Sequence, residues 1–522
     1  MELDTLPIKY KKLSMSNNKS RIANSSRNMS YAMLSQIVTI ILNLLSRAVF
    51  VKVLATEYMG LSGLFTNVLG LLALAELGFG SAITYSLYKP IKEDDHEKIK
   101  SLMRLFKMVY WGIGSLIFFL GVGLTPFIDS FIKERPNIPY LELIFILFVV
   151  QSASTYFFSY KTSFLTASQN DYILQKYKIG FVTIQNILQI GYLLLFKEFF
   201  GFLIIGIVLP FLNNAYASFR IDKMFPYLKE PAASLTKEDF EPIKKNVIAL
   251  FFYKIAQKLS ATIDTLLVSK FMGLIDVAIY YNYHFLLAYS DIFFIQILGT
   301  ITPSLGNLLV SNDKENKVRV FKTLQFIYYW LGTYIGVGFI VLFNTFMKLW
   351  LGPEYLFPQS IVIALAVSAT VTNFQRPCSM VRDAAGLFWY GKFRPIASAV
   401  SNVVASIVLV QLVGTIGVVI GTIISKLATY TWYDPYIVYK HALDDSLSNY
   451  FWRYIKASGI FAGLALISDY LFKVTQLTGV LGFVIGFVIV TFVVNGFYIL
   501  LYFKTPEFTY IKNNVVNRII KR

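Results

Sequence analysis

A single cysteine, Cys378, in 522 residues excludes a disulfide framework and any cysteine-held metal cluster. Histidine is nearly as scarce, and His96, His284 and His441 are too scattered for a histidine-rich metal site. No resident metal or cofactor is therefore expected. No G-x-x-x-x-G-K-[ST] loop occurs, which argues against nucleotide hydrolysis. The first 29 residues are polar and basic, without the apolar run and small-residue site of a cleavable leader. Charged residues make up only 15% of the chain.

Apolar residues fill the remainder. They reach 56%, and mean hydropathy is +0.58. Runs of about 20 residues recur, each enough for a helix to cross a ~30 Å hydrocarbon core. The sequence predicts an all-α polytopic membrane protein with about 14 transmembrane helices, at 30–51, 60–88, 105–127, 140–160, 173–196, 199–219, 246–269, 277–304, 321–346, 356–380, 391–411, 415–438, 451–472 and 477–503.

Lysine and arginine test that count. With the chain starting inside, the cytoplasmic tails and loops collect 37 of the 48, the opposite face seven, and helices the last four, Arg47, Lys254, Lys258 and Lys426. This asymmetry follows the positive-inside rule, puts both termini in the cytoplasm, and accounts for the formal charge of +18 without nucleic acid. No outer loop is large enough for a soluble catalytic domain, so an enzyme such as a polysaccharide polymerase is not expected. A channel fits less well than a transporter.

The charged connection 220–245 falls halfway along the first twelve helices and suggests two copies of one unit. "EYMGLSGLFTNVLGLLALAELGFG" (57–80) lines up with "KFMGLIDVAIYYNYHFLLAYSDIF" (270–293), and "EDDHEKIKSLMRLFKMVYW" (93–111) resembles "NDKENKVRVFKTLQFIYYW" (312–330). Six helices per copy give a parallel repeat, an arrangement used by transporters with a site between the halves. The expected organisation is a tail (1–29), an N-lobe (30–220), a linker (221–245), a C-lobe (246–440), an appended helix pair (451–503) and a basic tail (504–522).

The basic tail, "LLSRAVFVKVLA", and the helix-2 segment that begins "GLSGLF" and ends Glu76-Leu77-Gly78-Phe79-Gly80 resemble the polysaccharide flippases of bacterial capsule and O-antigen synthesis. These belong to the multidrug/oligosaccharidyl-lipid/polysaccharide exporter (MOP) superfamily. The resemblance implies transfer of an undecaprenyl-pyrophosphate-linked oligosaccharide across the bacterial cytoplasmic membrane by alternating access. It also implies coupling to an ion gradient, with H+ or Na+ as the coupling ion, and polysaccharide polymerase machinery as a partner. Lipid II and cationic drugs remain alternative cargoes within the same superfamily.

Burying a pyrophosphate requires fixed cations. Arg47, Lys254, Lys258 and Lys426 are the candidates to bind it; the competing reading for Lys254 is that it snorkels to the interface. Intramembrane carboxylates mark ion pathways, which makes Glu76, Asp264 and Asp291 candidates for coupling. An ion pair of Glu76 with Arg47 is an equally open reading. Tyr280, Tyr283 and His284 are candidates for glycan contact, although a bundle histidine with its hydrogen bonds satisfied is the simpler reading of His284. Gly417 and Gly421 have the G-x-x-x-G spacing suited to close helix contact.

Overall fold

The computed structural model describes residues 18–76, 79–168, 170–236, 262–299, 313–387, 390–443 and 445–512, with scattered positions at 238–247 and 305–309. Among the described residues the chain is helical throughout, without strands. Its principal helices are α1 (Asn18–Val53), α2 (Thr56–Leu72), α3 (Phe79–Glu93), α4 (His96–Leu124), α5 (Leu141–Ser154), α6 (Tyr156–Ala167), α7 (Asp171–Phe196) and α8 (Phe199–Met224). After a helical stretch at 262–271 come α9 (Leu274–Gly299), α10 (Lys314–Trp350), α11 (Gln359–Ala384), α12 (Arg394–Val413) and α13 (Thr415–Ala428). The chain continues through α14 (Tyr430–His441), α15 (Leu447–Thr475), α16 (Gly479–Tyr502) and the short α17 (Pro506–Ile511).

Nine of the described helical spans are long and apolar enough to cross a membrane. Their outer faces present bare hydrocarbon: Leu195, Leu412 and Phe492 are exposed, and Leu500 is 86% accessible. Only lipid can cover such a surface without the cost of wetting it. The chain is a multi-pass membrane protein.

Hydropathy truncated or merged several helices. The apolar run at 321–346 belongs to the 37-residue α10, about 55 Å long at 1.5 Å per residue. Its extra N-terminal turns carry Lys314, Lys317 and Arg319 beyond that run. The helix expected at 60–88 is interrupted by a 3-10 turn over Ala73–Glu76. The one expected at 415–438 divides at Thr429, whose φ of −124° and ψ of −70° lie outside the helical range. The two loops paired by the repeat open their helices in one way. Asp95 accepts the Lys98 backbone N–H at 2.9 Å to cap α4, and Asp313 accepts that of Asn316 at 3.0 Å to cap α10.

The chain divides into two compact units. The first draws on Met1–Val53, Leu72–Thr125 and Tyr140–Phe251, and the second on Leu54–Leu71, Pro126–Pro139 and Phe252–Arg522. In the first, α1 packs on α7, α7 on α8, and α4 on α5 and α6. In the second, α10 is the central strut, in contact with α11, α15, α16 and α17. The appended α16 is fastened to it by polar contacts: Trp330 donates its indole N–H to Asn495 Oδ1 at 2.9 Å, and the Thr333 and Tyr498 hydroxyls meet at 3.0 Å.

The hairpin α12–α13 turns on Gly414, whose φ of +69° suits glycine. Its helices touch backbone to backbone. A Cβ on Gly421 would sit 2.7 Å from Ser406 N, and one on Gly417 2.7 Å from Val410 N. The G-x-x-x-G spacing therefore has the close-packing role expected of it. Gly421→Leu is expected to cost well over the ~1–3 kcal/mol typical of overpacking. The monodisperse gel-filtration peak in detergent should disappear, and a wild-type profile would disprove this packing.

Candidate functional site

The second unit encloses a polar, charged cluster between apolar helices, built from residues one turn apart. Val418, Thr422 and Lys426 form one stripe on α13; Ser368, Thr372 and Arg376 form another on α11. Asn402 and Ser406 lie on α12, and Tyr280 and His284 on α9. Because the glycines bring α12 against α13, Asn402 reaches Thr422 and donates to its Oγ1 at 2.9 Å. Thr422 in turn donates to Asp264 Oδ2 at 2.7 Å.

Asp264 is only 6% exposed, and although the Tyr280 hydroxyl and the Asn402 amide approach the carboxylate, its remaining oxygen, Oδ1, has no partner at normal hydrogen-bond geometry among the described residues. Asn402 Oδ1, also buried, is in the same position. Thr422 Oγ1 lies 3.2 Å from the Val418 carbonyl, but its one proton serves the closer carboxylate. Buried oxygens seldom go without a donor, because an unmet acceptor costs about 1–3 kcal/mol. Carboxylate, amide, hydroxyl and carbonyl oxygens with one negative charge among them are the kinds of group that suit a hard monovalent cation, and the carboxylate can equally take a proton. Among the described residues no group of three or more His, Cys, Asp or Glu could hold a metal ion.

Beyond Asp264 stands Lys426, which donates to Thr372 Oγ1 at 2.7 Å and Ser368 Oγ at 3.1 Å. It lies within the electrostatic reach of Asp264, Asp291 and Arg376. Arg376 Nη2 bonds Asp291 Oδ1 at 2.7 Å, so those two charges largely offset each other. Lys426 and Asp264 are left facing one another's fields.

Arg376 falls within the helix expected at 356–380, yet the lysine and arginine count assigns it to a cytoplasmic loop. The structure instead places it inside α11, which runs to Ala384. His284 is a bundle residue on α9. Its ring lies against Tyr280, with centroids 4.1 Å apart, while Nε2 is buried without a hydrogen-bond partner among the described residues. Tyr280 is buried, with its hydroxyl in hydrogen-bonding reach of the Asp264 carboxylate. Tyr283 faces the bundle between Phe343 and Phe357, and its hydroxyl bonds Asn344 and accepts the Phe357 N–H at 3.2 Å.

In the first unit, Glu76 closes the 3-10 turn and accepts a hydrogen bond from the Tyr156 hydroxyl of α6 at 2.9 Å. It occupies a helix seam, not a lipid-facing position. Arg47 is half-buried on α1. Lys254 and Lys258 lie outside the described residues.

A second buried ionic cluster joins α11, α12 and α14. Asp434, fully buried, receives both Arg382 Nη1, at 3.0 and 3.1 Å, and Arg394 Nη1. Arg382 also holds Asp383 at 2.6 Å, and the Arg394 guanidinium stands 4.4 Å over the Tyr430 ring.

No family model and no curated protein matches the sequence. Solved structures do. The lipid II flippase MurJ in an inward closed conformation aligns with a TM-score of 0.63 at 16% identity, over 91% of this chain and 98% of the flippase. An inward-facing multidrug resistance MATE family transporter of the MOP superfamily aligns at 0.59 and 16%, over 76% and 94%. A MOP superfamily transporter from Pyrococcus furiosus, noted for the reverse polarity of its binding pocket, aligns at 0.52 and 17%, over 83% and 99%. The chain has their fold. At these identities the likeness concerns architecture and carries no site residue across.

Proposed function

We propose that this chain is a flippase that moves undecaprenyl-pyrophosphate-linked oligosaccharide units from the cytoplasmic to the outer leaflet of a bacterial membrane. It works by alternating access driven by an H+ or Na+ gradient. The carrying observation is the charged interior of the second unit, set in a fold shared with a lipid II flippase. Intramembrane charge is costly and marks transport paths. Lys426, with Arg47, Lys254 and Lys258, supplies cations for the pyrophosphate. Asp264, with Asn402 and Thr422, receives the coupling cation. A cation on Asp264 changes the field felt at Lys426 and so the affinity for an anion there; linkage makes that effect reciprocal.

A second reading, lipid II as cargo, is favoured by the fold likeness to MurJ. It shares the pyrophosphate, so the cationic groups serve either substrate. Loss of surface polysaccharide on gene deletion would support the first cargo, and loss of viability the second. A drug-cation exporter fits less well, since the interior carries bases as well as acids.

The test is translocation of a fluorescent polyprenyl-pyrophosphate oligosaccharide in proteoliposomes. Wild type should flip it, while Arg47→Ala and Lys258→Ala, folded, should flip it at least tenfold more slowly. Flipping that survives both substitutions discards the cationic site. Movement of cationic dyes in place of the glycolipid discards the flippase reading.

A further inference from the structure

Away from the membrane interior, a cleft of about 650 Å³ opens between the first turns of α10, the start of α15 and the strand of chain that begins α17. Four cations line it, Lys314, Arg319, Lys322 and Arg453, against two carboxylates, Glu315 and Glu507. Part of this charge is already used in building the walls. Arg453 Nη2 bonds Glu507 Oε1 at 2.6 Å, and Lys322 Nζ bonds Asp445 Oδ2 at 2.8 Å. Lys314 and Arg319 stand exposed at the mouth, where Arg319 donates to Asn316 Oδ1 at 2.8 Å.

The surroundings indicate which anion fits. Cations stand over rings along this edge: Arg319 over Tyr510, Lys456 over Tyr502 and Lys512 over Phe503, at 5.4–5.8 Å. Aromatic rings and basic groups mixed in this way characterise the headgroup level of a bilayer. The adjacent end of α16 exposes Leu500, Leu501 and Phe503. A basic recess thus borders a surface suited to acyl chains. Its loops are among those the positive-inside rule puts in the cytoplasm, beside the anionic leaflet.

We infer that this cleft binds the phosphate headgroup of an anionic phospholipid of the inner leaflet, with the acyl chains lying along the end of α16. This lipid site is separate from the cargo path and does not rest on the identity of the cargo. Phosphate oxygens would meet Lys314 and Arg319, the arginine suited to two-point contact, while Arg453 and Lys322, each held by a carboxylate, form the floor.

The test is native mass spectrometry with lipid titration of the full chain in detergent. The probes are phosphatidylglycerol, phosphatidylcholine and soluble glycerol phosphate, and wild type is compared with a Lys314→Ala/Arg319→Ala variant. These side chains are exposed, so the fold should survive. Wild type should retain one more phosphatidylglycerol than the variant, whose affinity for that lipid should fall about thirtyfold, at about 1 kcal/mol for each basic residue lost. Equal retention of phosphatidylcholine by wild type, or an unchanged variant, overturns the proposal. Glycerol phosphate binding as tightly as the lipid also overturns it, and would make the cleft a soluble-anion site. Failure of the flipping assay with this lipid difference intact would leave the inference standing.

Discussion

Asp264→Ala is expected to abolish gradient-driven transport, with initial rates at least a hundredfold below wild type and no response to an imposed ion gradient. Among the described residues Asp264 is the cluster's carboxylate without an arginine partner, since Asp291 is paired with Arg376, and its bond from Thr422 is the short one at 2.7 Å. Interactions with a charged partner contribute about 1.5–3 kcal/mol each, and 1.4 kcal/mol is tenfold, so losing two or more exceeds a hundredfold. Asn402→Ala and Thr422→Val should retain the charge but lose a donor oxygen, with roughly tenfold weaker cation dependence. The measurement is translocation in proteoliposomes under Na+, K+ and pH gradients applied separately. Dependence on one gradient in wild type names the coupling ion. Full gradient-driven rates in Asp264→Ala would show that coupling lies elsewhere, with Glu76 and Asp291 next in line.

Much of this architecture was legible because membrane helices advertise themselves. A helix in hydrocarbon must satisfy its own backbone and be apolar outside, so the recurring runs of hydrophobic residues were enough to read the fold class. What escaped was internal. Arg376 groups with the loop cations because a charge near the end of an apolar run reads as its boundary, while the helix continues past it to Ala384. The oxygens around Asp264 come from Asn402 and Thr422, small polar groups ordinary in membrane helices and separate in sequence from the acid. A usable signal did exist in the spacing: Ser368, Thr372 and Arg376, and Thr422 and Lys426, repeat every four residues and so share helix faces. Neither spacing nor hydropathy could have paired those faces, because pairing depends on how the helices pack in three dimensions.

The same blindness hid the cluster around Asp434, and its removal should have the largest effect on stability. Arg382 and Arg394 are 2% and 4% exposed, and Asp434 takes a charge-assisted contact from each. Asp434→Ala would leave two guanidinium groups buried with Asp383, partly exposed, as their remaining carboxylate in the cluster. Breaking a buried pair from one side costs about 3–5 kcal/mol, a large part of the ~5–15 kcal/mol that usually holds a domain together. The variant should therefore accumulate poorly and melt well below wild type in detergent. Asp434→Asn, which keeps the shape and loses the charge, should fall between them. The triple change Asp434→Leu/Arg382→Met/Arg394→Met should recover part of the loss, because an apolar replacement of a buried ionic cluster is often neutral or better. Thermal unfolding followed by size-exclusion chromatography reads all of these variants. An Asp434→Ala protein as stable as wild type would mean that the arginines find other acceptors, and that this junction of α11, α12 and α14 does not depend on its central charge.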